Sequence, residues 1–272
     1  MSMQARDPQI DLLTVVALAV VLMVIGAFTH EVIGHGGAAL LAGAGDLSVS
    51  SSQASYDVTS VTATANRWIA AAGPLANFVL GLASLFVLRR ITFKSGRDQY
   101  FVWLLGHGNL FAAAGYGLAF AFLPFGDWDQ VVAGLAAEGV WRSLISILSI
   151  VVSFMTLAHA TRTLVPFAGQ DPGKRKRRVA LLTVVPYVVE GVLSMAIAAF
   201  GTHDLFLVFL SAGAASFGGD VFLLWVNFVL PRLKNVTALE TPLGVKRSYL
   251  WLGLAVVAFL FDMFVLGPGA RV

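Results

Sequence analysis

The sequence contains no cysteine in 272 residues, which excludes disulfides and thiolate metal ligands. Charge is scarce as well. Asp, Glu, Lys and Arg together make up 12% of the chain, about half the share usual in a soluble domain. No polar stretch is long enough to form a separate soluble unit. What abounds is apolar: 58% of residues are hydrophobic and mean hydropathy is +0.82. A water-soluble fold cannot hide that much apolar surface, whereas a bilayer accepts it on the outside of every helix.

A spanning helix needs about 20 apolar residues. The pattern predicts an all-α polytopic membrane protein with about seven transmembrane helices, at 10–43, 67–91, 99–123, 139–165, 179–201, 204–230 and 247–267. They form a single transmembrane domain over 1–272. The first segment reads as a span and not as a cleaved signal peptide, because polar residues continue its helix and no small-x-small cleavage site precedes them. The net charge of +3 does not point to nucleic acid, since the basic residues sit in short loops. Alternate loops hold 15 and 3 of the Lys and Arg residues. The positive-inside rule then puts the N-terminus in the cytoplasm and the C-terminus outside, in a plasma (inner) membrane. The run Lys174–Arg178 is read as a cytoplasmic anchor.

Between the first two spans the composition changes to Ser, Thr and Val. Alternation at Leu47–Ser52 and Val58–Thr64 predicts two short strands, a hairpin at the outer interface. A free sheet edge cannot face lipid, so the strands must lie at the surface or against protein.

Ionisable side chains inside a membrane helix are costly and are functional suspects. The first span ends in Thr29-His30-Glu31-Val32-Ile33-Gly34-His35-Gly36-Gly37. Zinc hydrolases use neutral histidine nitrogens as ligands and a nearby glutamate as general base. The usual spacing is HExxH, because residues four apart share a helical face; this chain has one residue more. Five residues advance an ideal α-helix by about 500°, leaving His35 about 140° from His30. A π-bulge would return i and i+5 to one face, and Gly34, Gly36 and Gly37 ease such a distortion. Without it, Glu31 and His35 are the i, i+4 pair, either as ligands or as a hydrogen-bonded couple.

A second cluster opens span two, Asn66-Arg67-Trp68-Ile69-Ala70-Ala71-Ala72-Gly73-Pro74-Leu75-Ala76-Asn77, with Asn77 offering an amide inside the bundle. A third closes span three: Leu123-Pro124-Phe125-Gly126-Asp127-Trp128-Asp129. The topology brings all three to one membrane level. Two histidines and one carboxylate, with a fourth position open, are a known catalytic zinc set.

Together, "HEVIGH", "AAGPLANF" and "LPFGDWD" resemble the site-2 protease family of intramembrane zinc metallopeptidases, over about residues 25–135. The chain departs from that family in HExxxH for HExxH and in lacking a plain "LDG" after the proline. The resemblance implies a peptidase-like core at 10–135 followed by additional helices at 136–272. It implies one Zn2+ per chain on His30, His35 and either Asp127 or Asp129. Glu31 would be the base, and Asn77 would hold the substrate strand or the oxyanion. The partners implied are the lipid bilayer and a membrane-protein substrate. The rival reading is an inactive, peptidase-like scaffold or partner-binding subunit.

Glu190, Asp220 and Asp262 also fall within spans, with Asn227 seven residues after Asp220. They suggest either a proton or ion path or, preferably, interhelical hydrogen bonds. No inverted repeat of broken helices supports a transporter. His107 and His159 are assigned to packing or local hydrogen bonds.

Overall fold

The computed structural model describes residues 9–120, 126–201, 212–213, 215–233 and 239–271. Helix α1 (Leu12–Ala27) runs directly into a π-helix (Phe28–Gly36) and then α2 (Gly37–Ala42). Asp11 caps its start by accepting from Thr14 N–H at 2.9 Å, and Gly43, at φ 72°, ends it in the left-handed conformation that favours glycine. Strands β1 (Gly45–Val49) and β2 (Ala54–Asp57) follow. Then come α3 (Ala63–Arg90), α4 (Gly96–Phe120), the short α5 (Asp127–Val132), α6 (Glu138–Ala168) and α7 (Pro172–Gly201). The chain continues through α8 (Ala215–Gly219), α9 (Val221–Val229) and α10 (Tyr249–Phe261), a second π-helix (Asp262–Leu266) and β3 (Ala270–Arg271).

Among the described residues the protein is helical, with one small sheet. Among the described residues, five helices are long and apolar enough to cross a membrane: 12–42, 63–90, 138–168, 172–200 and 249–266. The expected end of the third span with Pro124, and the expected start of the sixth, lie outside the described residues.

The hairpin is present, but its strands are shifted. The expected second strand, Val58–Thr64, is instead a 3-10 turn followed by the start of α3. The Ser and Thr residues that mimic a strand pattern are used as caps. Asp57 accepts from Thr59 N–H and Oγ1–H at 2.9 and 2.7 Å, which holds its carboxyl below the usual range. Thr62 caps α3 through Ala65 N–H.

Helix α6 is turned inside out relative to a soluble helix. It buries Ser146, Ser149, Ser153, Thr156 and Thr161 and exposes Val140, Leu144, Ile147, Val151, Phe154 and Met155. A continuous apolar outer stripe of this kind is compatible with lipid as its solvent. The largest internal cluster joins Val15, Leu18, Tyr100, Trp103, Phe111, Leu164, Phe167, Leu182 and Leu223, tying α1, α4, α6, α7 and α9 together. Tyr100 O–H donates to the Leu182 carbonyl across it at 2.7 Å.

The bundle has two distinct ends. At one, Asp11 N–H donates to the Val245 carbonyl at 2.8 Å. The Arg247 guanidinium pairs with the Asp11 carboxyl there at 2.8 Å and holds it below the usual range. Buried Arg178 donates to the carbonyls of Phe167 and Leu243. At the other end lies the sheet, in the antiparallel order β2-β1-β3. Leu47 and Val49 of β1 pack on Ala39 and Ile69. The second π-helix leads into β3, so α1 and α10 both start at the first end and finish at the sheet.

Candidate metal centre

The π-helix decides the geometry of the histidines. Its wider turn places residues five apart on one face, and Gly37 N–H accordingly reaches back to the Val32 carbonyl. The rings of His30 and His35 therefore lie edge to face, with centroids 4.8 Å apart.

Two glycines let α3 approach this face. A Cβ on Gly34 would sit 2.6 Å from Gly73 Cα, and a Cβ on Gly73 would sit 2.3 Å from His35 Nε2 and 2.8 Å from His30 Nε2. Both Nε2 atoms thus converge on the bare backbone of Gly73. This explains a glycine one position before Pro74, within a helix that otherwise favours residues with side chains.

Asp127, the first residue of α5, completes the cluster. Its carboxyl oxygens lie 3.1 Å from His30 Nε2 and 3.4 Å from His35 Nε2. One donor atom from each of the three residues falls within a 4.8 Å group that could hold a metal ion. Burial pushes the Asp127 carboxyl up, but hydrogen bonds from the two histidines outweigh it and keep it well below the usual range. Asp129, the other sequence candidate, does not join them; it is paired with Arg142 of α6, which also holds Glu138 at 2.6 Å.

The surrounding groups suit a ligand role for the histidines. His35 Nδ1 is 2.7 Å from the Ile69 carbonyl. A carbonyl only accepts, so Nδ1 carries a proton, and Nε2 is the nitrogen left for a metal ion. Asn77 Nδ2 lies 3.4 Å from His30 Nδ1, while its Oδ1 is buried without a partner. Exchanging the two ends of this amide lets Oδ1 accept from His30 Nδ1–H and gives His30 the same tautomer as His35. Glu31, next to His30, is 9% exposed, and its Oε2 makes no hydrogen bond to the protein. Two imidazole nitrogens, one carboxylate and an adjacent buried carboxyl fit a catalytic zinc set.

His30, Glu31 and Asn77 line a cavity of about 190 Å³ together with Asn109, Glu190, Asp220 and Asp262. Asn109 is missing from the sequence reading; the signal was a lone amide in the apolar run of α4. Asn227 does not line the cavity. His107 and His159 lie elsewhere and bond to each other at 2.9 Å, with His107 Nδ1–H donating to the Trp103 carbonyl.

Comparison with models of known protein families, with curated proteins and with solved structures returned no match.

Proposed function

We propose that the protein is a zinc-dependent intramembrane metalloprotease that hydrolyses a peptide bond within the membrane, in the manner of the site-2 protease family it resembles. The observation that carries this reading is the convergence of His30, His35 and Asp127 beside the buried carboxyl of Glu31, whose Oε2 makes no hydrogen bond to the protein.

His30 Nε2, His35 Nε2 and an Asp127 oxygen would hold the ion. Zinc supplies Lewis acidity, which acidifies water and polarises a peptide carbonyl. Glu31 takes the proton from the attacking water and returns it to the leaving amine nitrogen. Its Oε2 makes no hydrogen bond to the protein and is available for both transfers. With Asn77 Oδ1 turned to His30, its Nδ2–H faces the cavity and donates to the carbonyl oxygen of the bond under attack. A helical substrate hides its carbonyls in its own hydrogen bonds and must unwind locally. Strand β2, at the edge of the sheet, offers a place for the extended segment to pair.

Glu31→Gln keeps the shape of the site and removes the base. Cleavage of a membrane-embedded peptide should fall by about 10²–10⁴-fold, with zinc content unchanged. Full activity of the variant would remove Glu31 from the mechanism.

The same reading includes seven spans in a plasma (inner) membrane, with the sheet end outside and the Arg178 end cytoplasmic. Arg89, Arg90, Arg97, Lys176 and Arg247 all fall at or beside helix ends on the Arg178 side. Because the chain has no cysteine, single cysteines can be labelled without background. Ser55→Cys should react with an impermeant maleimide on intact cells, and Lys176→Cys only after permeabilisation. The reverse pattern would invert the topology.

A further inference from the structure

The cavity beside the metal centre has a wall made of acceptors. Glu31, Asn109, Glu190, Asp220 and Asp262 all line it, and each keeps one side-chain oxygen with no hydrogen bond to the protein. All five are between 2 and 9% exposed. Their remaining polar atoms are largely occupied. Asn109 donates its amide to the Leu105 carbonyl at 2.9 Å, leaving Oδ1 for the cavity. Glu190 and Asp220 hydrogen-bond each other, and Asp262 bonds Ser51. A hydrogen bond between two carboxyls needs a proton on at least one of them, and each of the pair still presents an oxygen without a partner. Among the described residues no lysine or arginine lines the cavity.

Unpaired buried acceptors are expensive, and a cluster of them calls for a donor-rich cation. Size narrows the choice. At about 190 Å³ the cavity is below the range of about 300–1,000 Å³ typical of small-molecule pockets, and it suits a single side chain. Leu22, Met23, Ala112 and Ile197 supply apolar wall for a methylene stem.

We propose that this cavity is a specificity pocket for a lysine or arginine side chain of the polypeptide segment held at the metal centre. The proposal rests on the protease reading for its substrate, but the pocket binds the cationic group independently of cleavage. The carboxyls of α7, the α8–α9 junction and the second π-helix receive the ammonium or guanidinium, while the scissile bond lies toward Glu31. The C-terminal helices thereby acquire a role: they set which residue stands beside the bond that is cut.

The test uses the full chain purified in detergent, with n-butylguanidinium and n-butylammonium as probes and n-butanol as the neutral control, read by calorimetry. Both cations should bind saturably and more tightly than n-butanol. In Glu190→Gln/Asp220→Asn binding should weaken by about tenfold or more, which is about 1.4 kcal/mol. Asp262→Asn should weaken it as well and serves alone if the double variant does not fold. Asp46→Asn, on the exposed hairpin, should change nothing. Cations that bind no better than n-butanol, or equally well in the wild type and the carboxyl variants, would overturn the proposal. Retained cation binding in a chain that cleaves no peptide would leave the pocket standing and reject the protease reading alone.

Discussion

Gly73 and Gly34 set how closely α3 can approach the π-helix, and through that the positions of both histidine rings. With a Cβ 2.3 Å from His35 Nε2, Gly73→Ala cannot be accommodated without moving the rings or the helix. We expect the variant to fold, since alanine is the better helix former by about 1 kcal/mol, yet to lose zinc. Metal analysis on folded protein checks this; full zinc occupancy would mean that the rings are not seated against Gly73. The histidines, Glu31 and Asn77 were legible in the sequence because ionisable and amide groups stand out in apolar helices. The choice between Asp127 and Asp129 was not, since both lie in the first turn of α5. Arg142, thirteen residues further on, engages Asp129, and Asp127 is the one that stands beside the histidines. The role of Gly73 was hidden because a glycine shows nothing of the neighbour that excludes its side chain.

At the scale of elements, the extra residue between the histidines is absorbed by the π-helix over Phe28–Gly36. The spacing itself signals this, because five residues of α-helix would point the rings apart. Ile33 is 57% exposed, and deleting it should convert the segment to α-helix and put the two histidines at i, i+4. Zinc content should then persist in the deletion variant. Loss of zinc from a folded deletion variant would show that the π-turn does more than absorb a residue. The second π-helix, Asp262–Leu266, had no such signal, because only one of its residues carries chemistry. The hairpin was legible from the Ser, Thr and Val composition, but its register was not. Asp57 and Thr62 take capping roles that end β2 early and start α3 early, and alternation along the strand does not record capping.

For the whole molecule, composition dictates a helical fold with apolar outer faces, and α6 shows the consequence directly in its buried serines and exposed Val, Ile, Leu and Phe. What composition cannot show is convergence. Asn109, Glu190, Asp220 and Asp262 lie on four different segments, and only the packing of α4, α7, α8 and α9 with the second π-helix brings them to one cavity facing His30 and Glu31. Residues 10–135 and the helices that follow thus share a single interior, and the metal centre is the claim on which the functional account turns. The most direct measurement is the zinc content of detergent-purified protein, for the wild type and for His30→Ala, His35→Ala, Asp127→Asn and Asp129→Asn. The account predicts one zinc per chain in the wild type and in Asp129→Asn, and little in the other three. A well-folded wild type that takes up no metal when zinc is supplied, or an Asp127→Asn variant that binds zinc as well as the wild type, would contradict it.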